Sequence, residues 1–231
     1  MKGSKFAVIG MGKYGKGIAR ILSDRNAEVI AIDNMESKLE DIEDVVALTI
    51  TMDATDIKAL RGQNLQDVDA AVVAIGANFE ALLLCCFQLQ EIGTKRIIAR
   101  ANDEMQKSIL LKMGITEILE PEKQIGVLIA EQLINPNIVS FLQLPDDYEV
   151  AEVKPPTDIA NRSIKDIGLR AKYRLNLITI KREYEIEDGG DIKKEDHIMG
   201  VPDSETVIRE SDTIIVFGTT TDIKKFIDIN N

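Results

Sequence analysis

The residues best suited to chemistry lie in a glycine-rich segment near the N-terminus, Gly10-Met11-Gly12-Lys13-Tyr14-Gly15. The glycines have the Gly-x-Gly-x-x-Gly spacing that lets a backbone turn approach a phosphate group closely. In such a turn Gly10 permits the tight bend, Gly12 lets N–H groups reach the phosphate, and Gly15 lets the next helix pack on the sheet. The N-terminus of that helix would add unpaired N–H donors and a positive dipole end. The segment therefore predicts a site for a phosphorylated ligand.

An acidic residue, Asp33, follows 23 residues after the first glycine of this turn. It ends the apolar run Val29-Ile30-Ala31-Ile32, and a carboxylate there can accept hydrogen bonds from ribose hydroxyls. The turn itself follows the apolar run Phe6-Ala7-Val8-Ile9 and precedes a helical stretch. Strand, turn, helix, strand and acid in this order predict a βαβ unit that binds a nucleotide. A tight turn without a ligand is the alternative.

Two charged residues bear on which nucleotide is bound. Lys13 lies inside the turn, where its ammonium group would favour terminal phosphates, which ATP and ADP carry and NAD lacks. Glu122 follows the sixth predicted strand, at the edge of the sheet where ligands bind. A carboxylate near phosphates is useful mainly with a cation between them. A solvated lysine and a surface glutamate at a helix start remain the alternatives.

No catalytic group accompanies this predicted site in the sequence. The single histidine, His197, lies in a polar segment, and neither a Ser-His-Asp set nor a metal-binding spacing is evident. An NAD-linked oxidoreductase would need an acid–base group, and a redox-sensing repressor would need a basic helix-turn-helix segment. A nucleotide sensor that is not an enzyme is therefore the favoured hypothesis, with an NAD(H)-binding oxidoreductase as the alternative.

Composition and charge narrow the classes of partner. The chain of 231 residues has a net charge of −11, and acidic residues are in excess both before and after Leu144. Binding to nucleic acid and direct docking on anionic lipid are therefore not expected. The longest apolar run, residues 81–87, is too short to span a membrane, and no signal peptide is expected. The adjacent Cys85 and Cys86 are expected to be buried thiols in a reducing compartment.

Apolar runs alternate with helical segments up to residue 119 and predict a doubly wound, Rossmann-like parallel sheet of six strands. Asp53 or Thr55 is expected to cap the helix after the third strand. A long apolar helix is expected over residues 126–142, with a kink at Asn135-Pro136. The predicted fold class is α/β.

The regular alternation of apolar strands and helices ends near residue 144, and this change predicts a second domain. Pro145-Asp146-Asp147 marks the boundary between a nucleotide-binding domain, residues 1–144, and a second domain, residues 145–231. The second domain has short alternating strands, a polar hairpin or loop over residues 183–195 and a final helix. It is predicted to be a small α+β module.

Several motifs together resemble those of a known family. They are the glycine-rich turn, Ala31-Ile32-Asp33, Asp53-Ala54-Thr55, Val73-Ala74-Ile75-Gly76-Ala77-Asn78, Pro121-Glu122-Lys123-Gln124-Ile125-Gly126 and Leu169-Arg170-Ala171-Lys172-Tyr173. The first is common to many Rossmann proteins, whereas the last three, in this order and spacing, are far more specific. Over its whole length the chain resembles potassium-transport regulatory subunits of the Ktr/Trk type, built on the RCK (regulator of conductance of potassium) domain.

The resemblance implies a cytoplasmic subunit held at the inner face of the membrane by a potassium channel or transporter subunit. It implies homodimers that assemble into a ring, expected to be an octamer. It also implies ATP and ADP as competing ligands that favour different ring conformations, with NAD(H) used by some relatives. Its C-terminal domain binds cyclic di-AMP in some relatives, and Ile164, Asp166, Arg170 and Asn176 would lie near such a site.

The resemblance also carries over a set of nucleotide-binding positions. They are Gly10, Met11, Gly12, Lys13, Tyr14, Gly15, Asp33, Asn34, Lys38, Asp53, Ala54, Thr55, Ala74, Ile75, Gly76, Arg100 and Glu122. In this pattern the glycines hold the phosphates, Asp33 holds the ribose and residues 53–55 border the adenine. Arg100 would close the site, and Glu122 would reach a cation at the centre of a dimer. The helix over residues 126–142 would be exchanged between subunits.

Lys13 departs from the family pattern, because relatives of the Ktr type usually have arginine there. Lysine keeps the positive charge but loses the two-pronged donor geometry of a guanidinium. Discrimination of ATP from ADP is therefore expected to be weaker in this chain.

Overall fold

The computed structural model describes residues 3–188 and 191–230, which form two compact units, 1–122 and 123–231. The first unit contains β1 (Lys5–Ile9), α1 (Lys13–Asp24), β2 (Glu28–Asp33), β3 (Leu48–Thr51), α2 (Ile57–Arg61), β4 (Ala70–Val73), α3 (Phe79–Glu91), β5 (Ile97–Arg100), α4 (Glu104–Lys112) and β6 (Glu117–Leu119). Its six strands form one parallel sheet in the order β3-β2-β1-β4-β5-β6. The predicted doubly wound sheet is confirmed.

Each face of this sheet has its own apolar core, because successive residues of a strand point to opposite faces. Ala7 and Ile9 of β1 belong to a buried cluster that includes Leu82 of α3. Val8, which lies between them, belongs to a second cluster with Ala19 of α1. With both faces covered, the carboxyl ends of the strands are the place where polar groups can meet a ligand.

The strand order reverses at β1, which has β2 on one side and β4 on the other. The first hydrogen bonds beyond β1 go to both neighbours: the Gly10 N–H donates to the Ile32 carbonyl (2.8 Å), and the Ala74 N–H donates to the Ile9 carbonyl (2.7 Å). The chains leaving β1 and β4 therefore diverge on either side of a crevice, which is where open α/β sheets bind ligands.

The second unit is the predicted α+β module. It begins within α5 (Pro121–Ile134) and then contains β7 (Ile138–Gln143), β8 (Tyr148–Val153), β9 (Arg162–Ser163), α6 (Ile164–Ile167), α7 (Leu169–Tyr173), β10 (Asn176–Asp188), β11 (Asp191–Ile198), β12 (Val207–Ile208), β13 (Thr213–Thr219) and α8 (Thr220–Asn230). Five strands form an antiparallel sheet in the order β11-β10-β13-β8-β7, and β12 pairs with β9. The predicted polar hairpin falls in β10 and β11, with its Gly189-Gly190 segment outside the described residues.

The predicted helix over residues 126–142 is wrong in its C-terminal part, because α5 ends at Ile134 and residues 138–143 form β7. Pro136 lacks an N–H and disfavours helical backbone at Asn135. The Asn135 N–H still donates into α5, to the Glu131 carbonyl (2.8 Å). The Ile138 N–H then donates to the Asn135 carbonyl (2.9 Å), so that the chain turns and pairs with β8.

The predicted cap of α2 is also wrong. Asp56 is the N-cap residue, and its Oδ1 accepts a hydrogen bond from the Lys58 N–H (2.8 Å). Asp53 instead accepts from the N–H and the hydroxyl of Thr55 (2.9 and 2.8 Å), which is a local turn ahead of the helix. The domain boundary predicted after Leu144 stays a prediction. Over the part of the chain that is described, none of the helices has both the length and the apolar character to cross a bilayer.

Candidate functional site

A cavity of about 780 Å³ lies at the carboxyl ends of the strands of the first unit. This volume is within the range of small-molecule and cofactor pockets. Fifteen of the predicted nucleotide-binding residues line it: Gly10, Gly12, Lys13, Tyr14, Asp33, Asn34, Lys38, Asp53, Ala54, Thr55, Ala74, Ile75, Gly76, Arg100 and Glu122. Met11 and Gly15 are buried beneath the turn and are not among the lining residues. The structure therefore brings together residues from six separate segments of the sequence.

Each of the three glycines of the turn is glycine for a different structural reason. Gly10 has φ +97°, and a Cβ on it would lie 3.0 Å from backbone atoms of Ala74 and Ile75. A Cβ on Gly15 would lie only 1.9 Å from the Gly10 carbonyl oxygen, so no other residue fits there without backbone movement. A Cβ on Gly12 would meet no atom within 4 Å. The protein itself thus needs Gly10 and Gly15, whereas Gly12 leaves space on the cavity side of the helix N-terminus.

Asp33 holds the turn in place. Its carboxylate is buried, and Oδ2 accepts a hydrogen bond from the Met11 N–H (2.7 Å). Oδ1 accepts from the Met35 N–H (3.0 Å), and Lys38 Nζ lies 3.3 and 3.4 Å from the two oxygens. The residue that the sequence assigns to the ribose therefore also positions the phosphate turn, through a contact that is not evident from spacing alone. Its contact with a ribose stays a prediction.

Asp53 supplies an ionised carboxylate to the cavity wall. The Thr55 N–H, followed by the Thr55 hydroxyl, lowers the pKa of Asp53 by donating hydrogen bonds to its charged form. Ala54 between them is buried, so the segment presents one small apolar residue flanked by two polar ones. Such a wall can contact an adenine ring and accept hydrogen bonds from it, as the resemblance predicts.

Arg100, at the end of β5, has the least satisfied polar group of the cavity. Its guanidinium lies 5.6 Å from the centroid of the Tyr14 ring, and its Nη2 donates to Glu122 Oε1. Its Nε is buried and has no hydrogen-bond partner among the described residues. A buried donor without a partner typically costs about 1–3 kcal/mol. An anionic ligand would remove that cost, so the residues present fit a phosphorylated nucleotide.

Asn102 is a cavity residue that the sequence did not predict. Its Nδ2 donates to the Gly76 carbonyl (2.9 Å), which ties the end of β4 to the segment after β5. A Cβ on Gly76 would lie 2.8 Å from Arg100 Nη1, so Gly76 leaves room for the guanidinium. Its position in the sequence could have predicted it, because Asn102 follows the end of a strand at the same edge of the sheet as Arg100.

Glu122, the predicted cation ligand, has few other possible metal ligands near it within one chain. The carboxylate is exposed and pairs with Arg100. Within residues 3–188 and 191–230, no group of three or more His, Cys, Asp or Glu side chains could hold a metal ion. A cation at Glu122 would therefore need oxygen atoms from a ligand or a second protomer, and its presence stays a prediction.

The residues linked by resemblance to cyclic di-AMP lie in the second unit. Ile164 and Asp166 belong to α6, Arg170 belongs to α7, and Asn176 is the first residue of β10. Asp166 Oδ2 accepts a hydrogen bond from the Ser163 hydroxyl (2.7 Å). His197 lies on β11, with its ring edge-on to Tyr184 at 5.6 Å. It is not among the residues that line the cavity of the first unit.

Comparisons with known proteins agree with this architecture. The TrkA-N domain matches residues 6–121, and the TrkA-C domain matches residues 149–231. The chain is 31% identical over 222 residues to Ktr system potassium uptake protein C of Bacillus subtilis, covering 96% of this chain and 95% of that protein. It is 31% identical over 226 residues to Ktr system potassium uptake protein A of the same organism, covering 98% and 96%. A solved structure, the GsuK channel bound to NAD, shares the fold at TM-score 0.64 and 15% identity, covering 100% of this chain and 40% of that chain.

Proposed function

We propose, because the chain belongs to the family of proteins built from a TrkA-N domain and a TrkA-C domain, that it is a nucleotide-sensing regulatory subunit of a potassium channel or transporter. The observation that carries the nucleotide part is the cavity itself, which is lined both by an open glycine turn and by Arg100, whose buried Nε–H has no partner among the described residues. The potassium part comes from the two relatives, whose names are those of potassium uptake proteins.

ATP and ADP are the proposed ligands, with NAD(H) as the other candidate. Lys13 lines the cavity at the start of α1, is exposed, and forms no ion pair within the part of the chain that is described. Its ammonium group is therefore free to contact a terminal phosphate. NAD(H) is a candidate because the GsuK channel, which shares the fold, was solved bound to NAD. All three share an adenosine and a phosphate chain, which the common features of the cavity would bind.

Titration calorimetry of the purified chain with ATP, ADP and NADH tests this proposal. We expect ATP and ADP to bind with different affinities. Small-angle scattering should then show two particle shapes, because a ligand shifts a conformational equilibrium only through its differential affinity for the two states. A coupling of about 1–3 kcal/mol is typical of such switches. Equal affinities for ATP and ADP, together with one scattering curve for both complexes, would reject the sensing function.

Variants of Lys13 test the terminal-phosphate contact. Lys13→Arg should increase the preference for ATP over ADP, because a guanidinium donates two parallel hydrogen bonds to phosphate, and Lys13→Gln should reduce it. Lys16→Gln is the matched control, since Lys16 lies on the same helix but pairs with Asp41 and is not a lining residue. If Lys16→Gln changed the preference as much as Lys13→Gln did, the effect would be one of overall charge.

A second copy of the chain is the proposed partner of α5. This helix has no buried residue within the single chain, and Leu133 and Ile134 are 77% and 71% exposed. Burial of such a surface would favour a homodimer, and dimers would assemble into a ring, which we propose to be an octamer. Leu133→Glu should shift the mass measured by light scattering towards the monomer. Val201→Glu, at a residue 94% exposed, should leave the mass unchanged.

The remaining parts of the proposal concern the setting of the ring. A cation between Glu122 and the bound phosphates would favour one ring shape, and the ring would transmit that shape to a pore subunit at the cytoplasmic face of the membrane. Cyclic di-AMP would bind the second unit near Asp166 and Arg170. Calorimetry with cyclic di-AMP tests binding to the second unit. Capture of the tagged chain from detergent-treated membranes, together with an integral potassium pore, tests the partnership with a pore subunit.

A further inference from the structure

We infer that Arg100 exchanges Glu122 for a ligand phosphate, so that the Glu122 carboxylate opposes nucleotide binding when no divalent cation is present. The inference rests on the proposed function, since it requires that the cavity binds a nucleotide. It goes beyond that function by assigning opposite effects to two residues of one ion pair.

Arg100 is held beside the phosphate turn. Its backbone is fixed at the end of β5, where it pairs with Leu119 of β6. Its guanidinium lies 5.6 Å from the centroid of the Tyr14 ring, and Tyr14 lies within the glycine-rich segment, in the first turn of α1. Attraction between the cation and the ring face keeps the guanidinium in this position.

The Arg100–Glu122 pair differs from two other arginine–carboxylate pairs of the chain. In Arg96–Glu117, Nε and Nη2 both donate to the same carboxylate, at 2.8 and 2.6 Å. In Arg182–Asp212, the same two donors are used, both at 2.7 Å. In Arg100–Glu122, Nη2 donates but Nε has no partner among the described residues and is buried. The Arg100–Glu122 pair therefore has only one of the two hydrogen bonds that Nε and Nη2 form in the other pairs.

Glu122 is the partner that can be released easily. The Glu122 side chain is 62% exposed, whereas that of Arg100 is 18% exposed. Water can replace the guanidinium around an exposed carboxylate, which is why exposed ion pairs contribute little to stability. When the guanidinium turns towards a bound phosphate, two phosphate oxygens can accept from Nε and Nη2, one from each, as the two carboxylate oxygens do in the complete pairs. The exchange thus satisfies a buried donor and releases an exposed acceptor.

The exchange has a consequence for affinity. Before binding, Glu122 competes with the phosphate for Arg100, and after binding its negative charge remains near the phosphates. Removal of that charge should therefore strengthen binding of an anionic ligand in the absence of divalent cations. Simple repulsion of the phosphates would act in the same direction, so the part that depends on Arg100 is tested separately below.

The test is titration calorimetry of the full chain with ADP in buffer containing EDTA. Glu122→Gln should bind ADP about fivefold more tightly than the wild type, the size expected for release of one partly exposed ion pair. Arg100→Lys should bind at least about tenfold more weakly, because lysine lacks the two-pronged edge. Glu117→Gln, which removes the carboxylate of the Arg96–Glu117 pair outside the cavity, should leave ADP affinity unchanged.

The double variant distinguishes exchange from simple repulsion. In an Arg100→Gln background, Glu122→Gln should give less than half of its effect in the wild type, because no cationic side chain is left at position 100 for Glu122 to compete for. An undiminished effect there, or unchanged or weaker ADP binding by Glu122→Gln alone, would overturn the inference while leaving the nucleotide site intact. Failure of the wild type to bind ADP, ATP or NADH would overturn the proposed function itself.

Discussion

Replacement of Gly12 by alanine separates the needs of a ligand from the needs of the fold. At this position φ is −70° and ψ is −179°, which alanine adopts readily, and the added Cβ would meet no protein atom within 4 Å. Loss of a good N-cap residue and the lower entropy of the unfolded chain act in opposite directions, each by about 1 kcal/mol or less. The stability of the ligand-free protein should therefore change little.

Nucleotide affinity should respond quite differently to Gly12→Ala. The methyl group would occupy the space through which a phosphate approaches the N–H groups at the start of α1. Loss of one hydrogen bond to a charged group costs about 1.5–3 kcal/mol, which corresponds to a loss of affinity of roughly 10- to 150-fold. Calorimetry with ADP measures this loss, and thermal unfolding of the ligand-free protein measures the stability.

Gly15→Ala is the matched control, because the same methyl group is added three residues later in the same turn. Its Cβ would lie 1.9 Å from the Gly10 carbonyl oxygen, so the backbone must move. A cost of about 1–3 kcal/mol is expected, or roughly 2–12 °C in the melting temperature of a chain of this length. If Gly12→Ala destabilised the ligand-free protein as much as Gly15→Ala, or bound ADP normally, a phosphate site at Gly12 would be refuted.

Three further predictions concern buried groups. Arg182→Ala should destabilise the second unit by about 3–5 kcal/mol in urea, because it leaves the buried Asp212 carboxylate without its bidentate partner; Lys194→Ala, which breaks the exposed pair with Glu183, should have no measurable effect. Burial raises the pKa of Glu149, whose carboxylate accepts from the Thr220 hydroxyl (3.0 Å) and lies near Glu131 and Lys224. Since the folded state then binds the proton more tightly, this contribution to stability is complete below the ordinary value of 4.5 and is lost as pH rises through the raised pKa. The urea resistance of Glu149→Gln relative to the wild type should thus increase as pH rises above 4.5, and a difference that does not change with pH would contradict this. Burial also raises the pKa of Cys86 to about 12 and that of Cys85 above its usual range. Both thiols should therefore react with a disulfide reagent near neutral pH only after unfolding, and rapid reaction of the native protein would show that they are accessible.

The sequence by itself determined the parallel sheet and the location of the site. The strands β1, β2 and β4 each contain a continuous apolar run, and these runs end at Gly10, Asp33 and Gly76. Such runs suit strands buried on both faces, and the alternation with helices leaves few other topologies. Fifteen of the seventeen predicted residues then line one cavity at the carboxyl ends of the strands.

The end of α5 was decided by tertiary structure. Residues 138–142 are apolar in a pattern that fits either a helix or a strand, so periodicity extended the helix too far. The choice depends on β8, with which Ile138 and Phe141 pair through Val153 and Ala151. A local sequence pattern carries no information about pairing with a strand that lies later in the chain.

The use of individual donors and acceptors was likewise decided by the folded chain. Spacing placed Asp33 and Arg100 at the site, but it did not show that Asp33 accepts from the Met11 N–H or that Arg100 Nε has no partner among the described residues. Hydrogen bonds require distances near 3 Å and near-linear geometry, which depend on the positions of several elements at once. The sequence therefore determined which residues meet at the glycine turn, whereas only the tertiary structure determined which of their polar atoms have a hydrogen-bond partner among the described residues and which do not.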